Sequence, residues 1–304
     1  MRTLRSSRRA WIVGAVSAAV SVILLASPAH AAFPGDNGRI VFSSFAGSSR
    51  IFTMDASGRD LTSVLASGAD PQWSPSGEEV VFTDQTVGTA ATALFTMRAD
   101  GSHVRRLTPD GLDAFEPAWS PDGQWVAFTV MTPEEMEDLY VIRRDGTKLR
   151  QLTSLPGNEF MAAWSPDGEE IVFCRDLFPA LRSDVYAIAP DGSGLRAVTD
   201  SFLEPEYSPS WSPDGDRLVF ERYELGSSAA DLFSVRSDGT GEERITSTPW
   251  DEQWPSYSPD GKRVLFSSDK DGDWDIYTQH VDGTQQRKLT NNSSDERVAD
   301  WQSK

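Results

Sequence analysis

The chain is poor in the residues that most enzymes use for chemistry. Of 304 residues, one is cysteine (Cys174) and three are histidine. A single cysteine excludes an internal disulfide, and none stands near the head of the chain to carry a lipid. Cys174 follows Phe173 in an apolar run, where a thiol is expected to be a buried bystander. His103 and His280 are far apart in sequence, so the His-rich clusters that hold zinc or serve as general bases are not expected. There is no G-x-S-x-G pentapeptide, and with it no nucleophile elbow. Positive charge is also scarce. Lys and Arg total 28 against 46 Asp and Glu, a net charge of −18. Nucleic acid and anionic membrane are polyanions, so neither is an expected partner.

Long apolar runs are confined to the head of the chain, "MRTLRSSRRAWIVGAVSAAVSVILLASPAHA". Four arginines precede an apolar stretch of 16 residues, Trp11 to Ala26, and the small-residue site "AHA" follows at Ala29 to Ala31. The stretch is shorter than the roughly 20 residues that span a bilayer. The segment therefore reads as a secretory signal over 1–31, leaving a mature chain of 32–304 with charge −22 and no stable membrane insertion. "SRRAWIV" is similar to a twin-arginine export signal, so both export routes stay open. The expected location is the periplasm, the cell envelope or the outside of the cell.

What the chain has in abundance is one pentapeptide. "WSPDG" stands at Trp119, Trp164 and Trp211, with "WSPSG" at Trp73, "YSPDG" at Tyr257 and a last anchor, Trp301, in "VADWQSK". The intervals are 46, 45, 47, 46 and 44 residues. A period near 45 marks a stacked array or a propeller. After each anchor, Ser-Pro-Asp-Gly supplies the residues of a type I turn. An apolar strand follows, placing Phe42, Phe82, Phe128, Phe173, Phe220 and Phe266 in register. Three consecutive apolar residues mark a strand buried on both faces. A third strand ("DLYVI", "DVYAI", "DLFSV"), a tight turn ("RDG", "PDG", "SDG") and a fourth strand ending in "LT" complete each unit.

These units predict an all-β, six-bladed propeller of four-stranded antiparallel blades, a single domain over 32–304. One sheet of this size cannot bury both its faces, whereas sheets packed radially cover each other. The head begins at the second strand of a blade and the tail ends with a spare first strand, "VADW". The tail is therefore expected to supply the inner strand of the first blade and close the ring.

"WSPDG", "IVF", "DLYVI" and "DGT…LT" resemble the WD40-like (PD40) propeller repeat of the TolB family, whose namesake is the periplasmic component of the Tol–Pal system. The resemblance runs over essentially the whole of 32–304. Three features depart from relatives. TolB proper carries an α/β domain ahead of its propeller, whereas here the repeats follow the head segment at once. Prolyl-oligopeptidase-type peptidases add a hydrolase domain for which no residues remain. The similar propellers of oligogalacturonate lyases bind metal through histidines that this chain lacks.

Several residues are candidates for a site. Five positions before each anchor stand Glu159, Glu206, Glu252 and Glu296. The other two blades carry Glu116 and Asp70 two residues further on. Loops entering the inner strands cross one face of the disc, so these carboxylates are expected to ring the channel mouth. There they either attract a cation or a basic peptide or hold the crossing loops and neighbouring blades together. Trp250 and Trp254 flank Glu252 in "WDEQW", as partner or sugar anchors or as packing between blades. "DKDGDWD" at Asp269 to Asp275 resembles a calcium loop, but His280 stands where an EF-hand places its bidentate Glu. The loops between second and third strands are long and irregular, the usual place for function on a rigid scaffold. The expected function is non-enzymatic binding of a protein or peptide partner through that face, a basic partner where the carboxylates take part, with no cofactor. A calcium-dependent hydrolase or lactonase with its metal in the channel, and a carbohydrate-binding propeller, are the competing readings.

Overall fold

The computed structural model describes residues 32–86, 88, 91–134, 136–177, 182–201 and 204–304. The expected signal segment, 1–31, lies outside the described residues, as do parts of the irregular loops. The described residues form 24 strands in six four-stranded antiparallel sheets and no helix. The inner strands are β4 (Ala69–Trp73), β8 (Asp113–Trp119), β12 (Glu159–Trp164), β16 (Glu206–Trp211), β20 (Glu252–Tyr257) and β24 (Asp295–Ser303). β24 pairs with β1 (Asn37–Phe45), and that sheet continues through β2 (Ser49–Met54) to β3 (Thr62–Leu65). Ile40 lies opposite Trp301 and Phe45 opposite Asp295. Asp36 and Lys304 exchange two backbone hydrogen bonds of 3.0 Å. The tail thus completes the blade that the head begins.

Each repeated residue type has a structural cause. In the Ser-Pro-Asp-Gly turn, Ser120 Oγ donates to Asp122 and accepts from Trp125 N, while Asp122 also accepts from Gln124 N. The same bonds recur from Ser165, Ser212 and Ser258. The glycines of these turns adopt left-handed φ, 64° at Gly123 and 76° at Gly168, which glycine alone reaches without strain. A Cβ on Gly168 would lie 3.2 Å from Pro121 of the preceding blade's turn, and one on Gly261 the same distance from Pro213. The turns therefore pack against each other around one face. All six aromatic anchors are buried, as are the six phenylalanines of the second strands. The latter stack on third-strand rings, as Phe42 does on Phe52 at 5.9 Å and Phe266 on Tyr277 at 5.9 Å.

The threonine of "LT" solves a hydrogen-bonding problem. The outermost strands of five blades are two residues long, as at Arg150–Gln151. They leave N–H groups of the third strand without a ladder partner. Thr153 Oγ1 accepts from Leu139 N at 2.9 Å, and Thr108, Thr199, Thr246 and Thr290 repeat the contact. Thr153→Val keeps the shape and orphans that buried donor, at a cost of about 1–3 kcal/mol. Its urea midpoint is expected to fall with the m-value unchanged.

Candidate functional site

Because the strands alternate in direction, the Ser-Pro-Asp-Gly and Asp-Gly turns share one face. The loops from second to third strand and the crossing loops between blades share the other. Every candidate except the histidines lies on or just under this loop-bearing face.

The four entry glutamates sit where expected along the chain, but they do not form an open ring. Glu159, Glu206, Glu252 and Glu296 are all buried. Each ties the loop that brings the chain in from the preceding blade to its own blade. Glu159 accepts from Leu155 N and lies 3.5 Å from the Arg175 guanidinium. Glu206 takes the hydroxyl hydrogen of Thr199 and pairs with Arg222. Glu252 accepts from Thr248 Oγ1 at 2.5 Å. Glu296 accepts from Ser44 Oγ and Asn292 Nδ2. Burial raises all four carboxyls to about 7 despite these donors. Of the two roles left open for these carboxylates, the buried contacts match the holding of the crossing loops. A carboxylate at the start of an inner strand is drawn in by the polar groups of two adjoining segments, and no pattern within one repeat reveals that.

Two residues further on, every inner strand has a β-bulge. Asp70, Glu116, Met161, Ser208, Trp254 and Val298 all take φ between 51° and 55°, a region that residues other than glycine seldom occupy. No residue type is shared among them, so the sequence carries no signal for it. The bulge removes each N–H from its own ladder. Met161 N donates to Glu116 of the preceding blade at 3.0 Å, Trp254 N to Glu221 at 2.7 Å, and Asp70 N to Ser43 Oγ at 3.1 Å. Glu116 is thus a buried strut between blades, and its carboxyl is held well above the ordinary range by burial. Glu221, which sequence reasoning passed over, plays the same part. Burial raises it to about 8.

The two tryptophans separate. Trp250 is exposed, while Trp254 is buried 5.1 Å from the Trp274 ring with the Arg297 guanidinium over both. The Asp269–Asp275 stretch is a hairpin. Its Asp271 and Asp275 both pair with Lys288, and Asp271 also accepts from Tyr277. His103 is exposed beside Ser102, and Cys174 is buried against the Met161 sulfur. Among the described residues, no group of three or more His, Cys, Asp or Glu stands where it could hold a metal ion. No helix among them is long and apolar enough to cross a membrane.

The loop-bearing face opens into an off-axis cleft of about 680 Å³ over the first three blades. Phe45, Phe115 and Met131 supply apolar wall, Asp70, Asp84 and Asp113 supply acid, and Arg297 closes one end. The cleft exists because the second blade enters its inner strand with Gly68-Ala69-Asp70. The fourth blade enters with Glu159-Phe160-Met161. A Cβ on Gly68 would meet Phe82 at 2.8 Å, so nothing larger fits at that step.

This geometry agrees with the comparisons. The family profile of the TolB beta propeller domain matches residues 192–304. The chain is a six-bladed β-propeller, similar over those residues to the TolB propeller. A second profile, the Tricorn protease N-terminal beta propeller domain, matches residues 84–228 of the same ring. TolB from Acinetobacter baumannii superposes with a TM-score of 0.78 at 21% identity, over 95% of this chain and 71% of that one. The structure of a putative TolB from Agrobacterium tumefaciens gives 0.70 at 21% identity, over 86% and 91%. An oligogalacturonate lyase in complex with manganese gives 0.63 at 15% identity, over 88% and 78%. These likenesses establish the shared fold. No curated protein matches the chain.

Proposed function

We propose that this chain is an exported, non-enzymatic propeller that binds a protein or peptide partner through its loop-bearing face. One observation supports the reading above the others: the irregular loops and the cleft of about 680 Å³ share one face. The Ser-Pro-Asp-Gly face is built of regular turns packed glycine against proline, with smaller cavities of about 400 and 310 Å³ among them. The opposite face carries the irregular loops, the cleft of about 680 Å³ and the exposed Leu225 and Trp250. Irregular loops on a rigid scaffold, with a cleft among them, are the usual content of an interaction surface. Export is supported by the composition of the head segment.

The test is capture from envelope extract by the purified protein and by a Leu225→Asp/Trp250→Asp variant. Both positions are exposed, so the fold is expected to survive. A partner bound by the parent and lost by the variant is the expected result. Identical capture by both would remove the face from consideration. Calorimetry with Ca²⁺ addresses the competing reading, since single-site binding tighter than micromolar would favour a channel metal and a hydrolase.

A further inference from the structure

We propose that the off-axis cleft is a receptor for a lysine or arginine side chain of the bound partner, an inference that rests on the loop-bearing face being the docking face. Three features of the cleft converge on that chemistry. Its walls at Phe45, Phe115 and Met131 are apolar, suited to the methylene stem of a long basic side chain. Its rim holds the carboxylates of Asp70, Asp84 and Asp113. Asp84 accepts from Ser67 Oγ at 2.6 Å, and Asp113 accepts from Thr92 N and Oγ1 at 2.7 and 2.8 Å. These bonds orient the groups without cancelling their charge. The one cation on the wall, Arg297, is already paired with Asp295 at 3.1 Å and covered by the Trp254 and Trp274 rings.

The third feature is Thr83. It lines the cleft, is 5% exposed, and its hydroxyl has no hydrogen-bond partner among the described residues. Buried hydroxyls are almost always satisfied. The third blade shows how. Thr129, at the same position one blade on, donates to Glu116 at 2.7 Å, and Glu116 also accepts from the next blade. In the second blade the corresponding acid is Asp70, one methylene shorter. The Thr83 oxygen is left unpartnered just beneath the cleft wall that Thr83 helps to form. An ammonium or guanidinium seated between the three carboxylates has an N–H to give to that oxygen. A charge-assisted bond of this kind is about twice as strong as a neutral one.

The probe is N-acetyl-tetralysine amide, titrated by calorimetry into the full propeller at 50 mM and 150 mM salt. The variant Asp70→Asn/Asp84→Asn/Asp113→Asn keeps acceptors for the loop bonds, and Asn tolerates the left-handed φ of position 70. Its control, Glu78→Gln/Glu169→Gln/Asp216→Asn, removes the same charge from the opposite face, where all three residues are exposed. The cleft variant is expected to bind tenfold more weakly or worse, the control within twofold of the parent. Thr83→Val is expected to weaken the probe about threefold with a melting temperature equal to or above the parent's, an outcome that general loss of structure does not produce. Equal weakening in variant and control, or none in either, overturns the proposal. That result leaves the capture experiment with Leu225 and Trp250 standing on its own, so the two failures are distinguishable.

Discussion

Deleting Val298–Lys304 is expected to abolish cooperative folding of the whole domain. The segment is a small fraction of the chain, yet it holds most of the closing strand. Val298, Ala299 and Trp301 are buried, and fully burying a large apolar side chain contributes about 1.5–3 kcal/mol. Trp73 N donates at 2.8 Å to Asp300, whose loss leaves a buried donor of the second blade unmet. β1 would also lose most of its inner partner, exposing an unpaired edge. Together these terms rival the whole stability of an ordinary domain, about 5–15 kcal/mol. The measurement is a urea transition followed by near-ultraviolet dichroism, with a deletion of 224–229, an exposed hairpin loop, as the comparison. The loop deletion is expected to keep a single sharp transition. A sharp transition at the parent's midpoint in the tail deletion would mean that the ring does not depend on its clasp.

The second large effect is a loss of stability as pH rises. Glu159, Glu206, Glu252 and Glu296 are raised by burial to about 7, Glu137 to about 7 and Glu221 to about 8, against 4.5 for an unperturbed glutamate. Between these values and 4.5 the folded protein holds protons that the unfolded chain has released. Stability therefore falls with rising pH across that window. It is fully present below about pH 4.5 and is lost as pH passes through 7 to 8. The individual losses do not add simply, because the groups interact and arginines face two of them. A total on the order of 3–5 kcal/mol corresponds to about 10 °C in melting temperature for a domain of this size. Growing repulsion in a chain of net charge −18 acts in the same direction. Melting curves from pH 5 to 8 are expected to decline steadily. Glu221→Gln keeps an acceptor for Trp254 N and removes the group with the highest of these values, so its curve is expected to be flatter. A melting temperature constant or rising over that range would show that these carboxyls ionise freely in the fold.

The parts of this molecule that could be read from sequence are those set by local chemistry repeated at a fixed interval. Ser-Pro-Asp-Gly forms its turn from its own side chains, so Ser120 and Asp122 announce it without help from other blades. The buried second strands announce themselves by consecutive apolar residues ending in Phe128 or Phe173. Closure followed from counting which strand the head omitted and the tail supplied. The site was less legible because its determinants lie between repeats. Glu159 and Glu206 sit at the expected positions, but their partners come from two adjoining segments, and burial replaced the exposed ring. Asp70, Met161 and Trp254 share a strained backbone and no side-chain chemistry. Trp250 and Trp254 look equivalent in "WDEQW", yet the bulge at Trp254 carries one ring inward and leaves the other in water. The cleft arises from a deficit, the small residues Gly68 and Ala69 where the fourth blade has Glu159 and Phe160, and a deficit stands out only once the neighbours are in place.

The hydrogen bonds between Asp36 and Lys304 also set an orientation. They lie among the Ser-Pro-Asp-Gly turns, where Gly35 N meets Pro259 O. Asp36 and Lys304 therefore both lie on the Ser-Pro-Asp-Gly side of the disc. Anything that holds the protein through residues upstream of Ala32, or through a fusion at Lys304, points the cleft and its loops away from the point of attachment. A tag or surface linkage at either end would leave the opposite side open to solution.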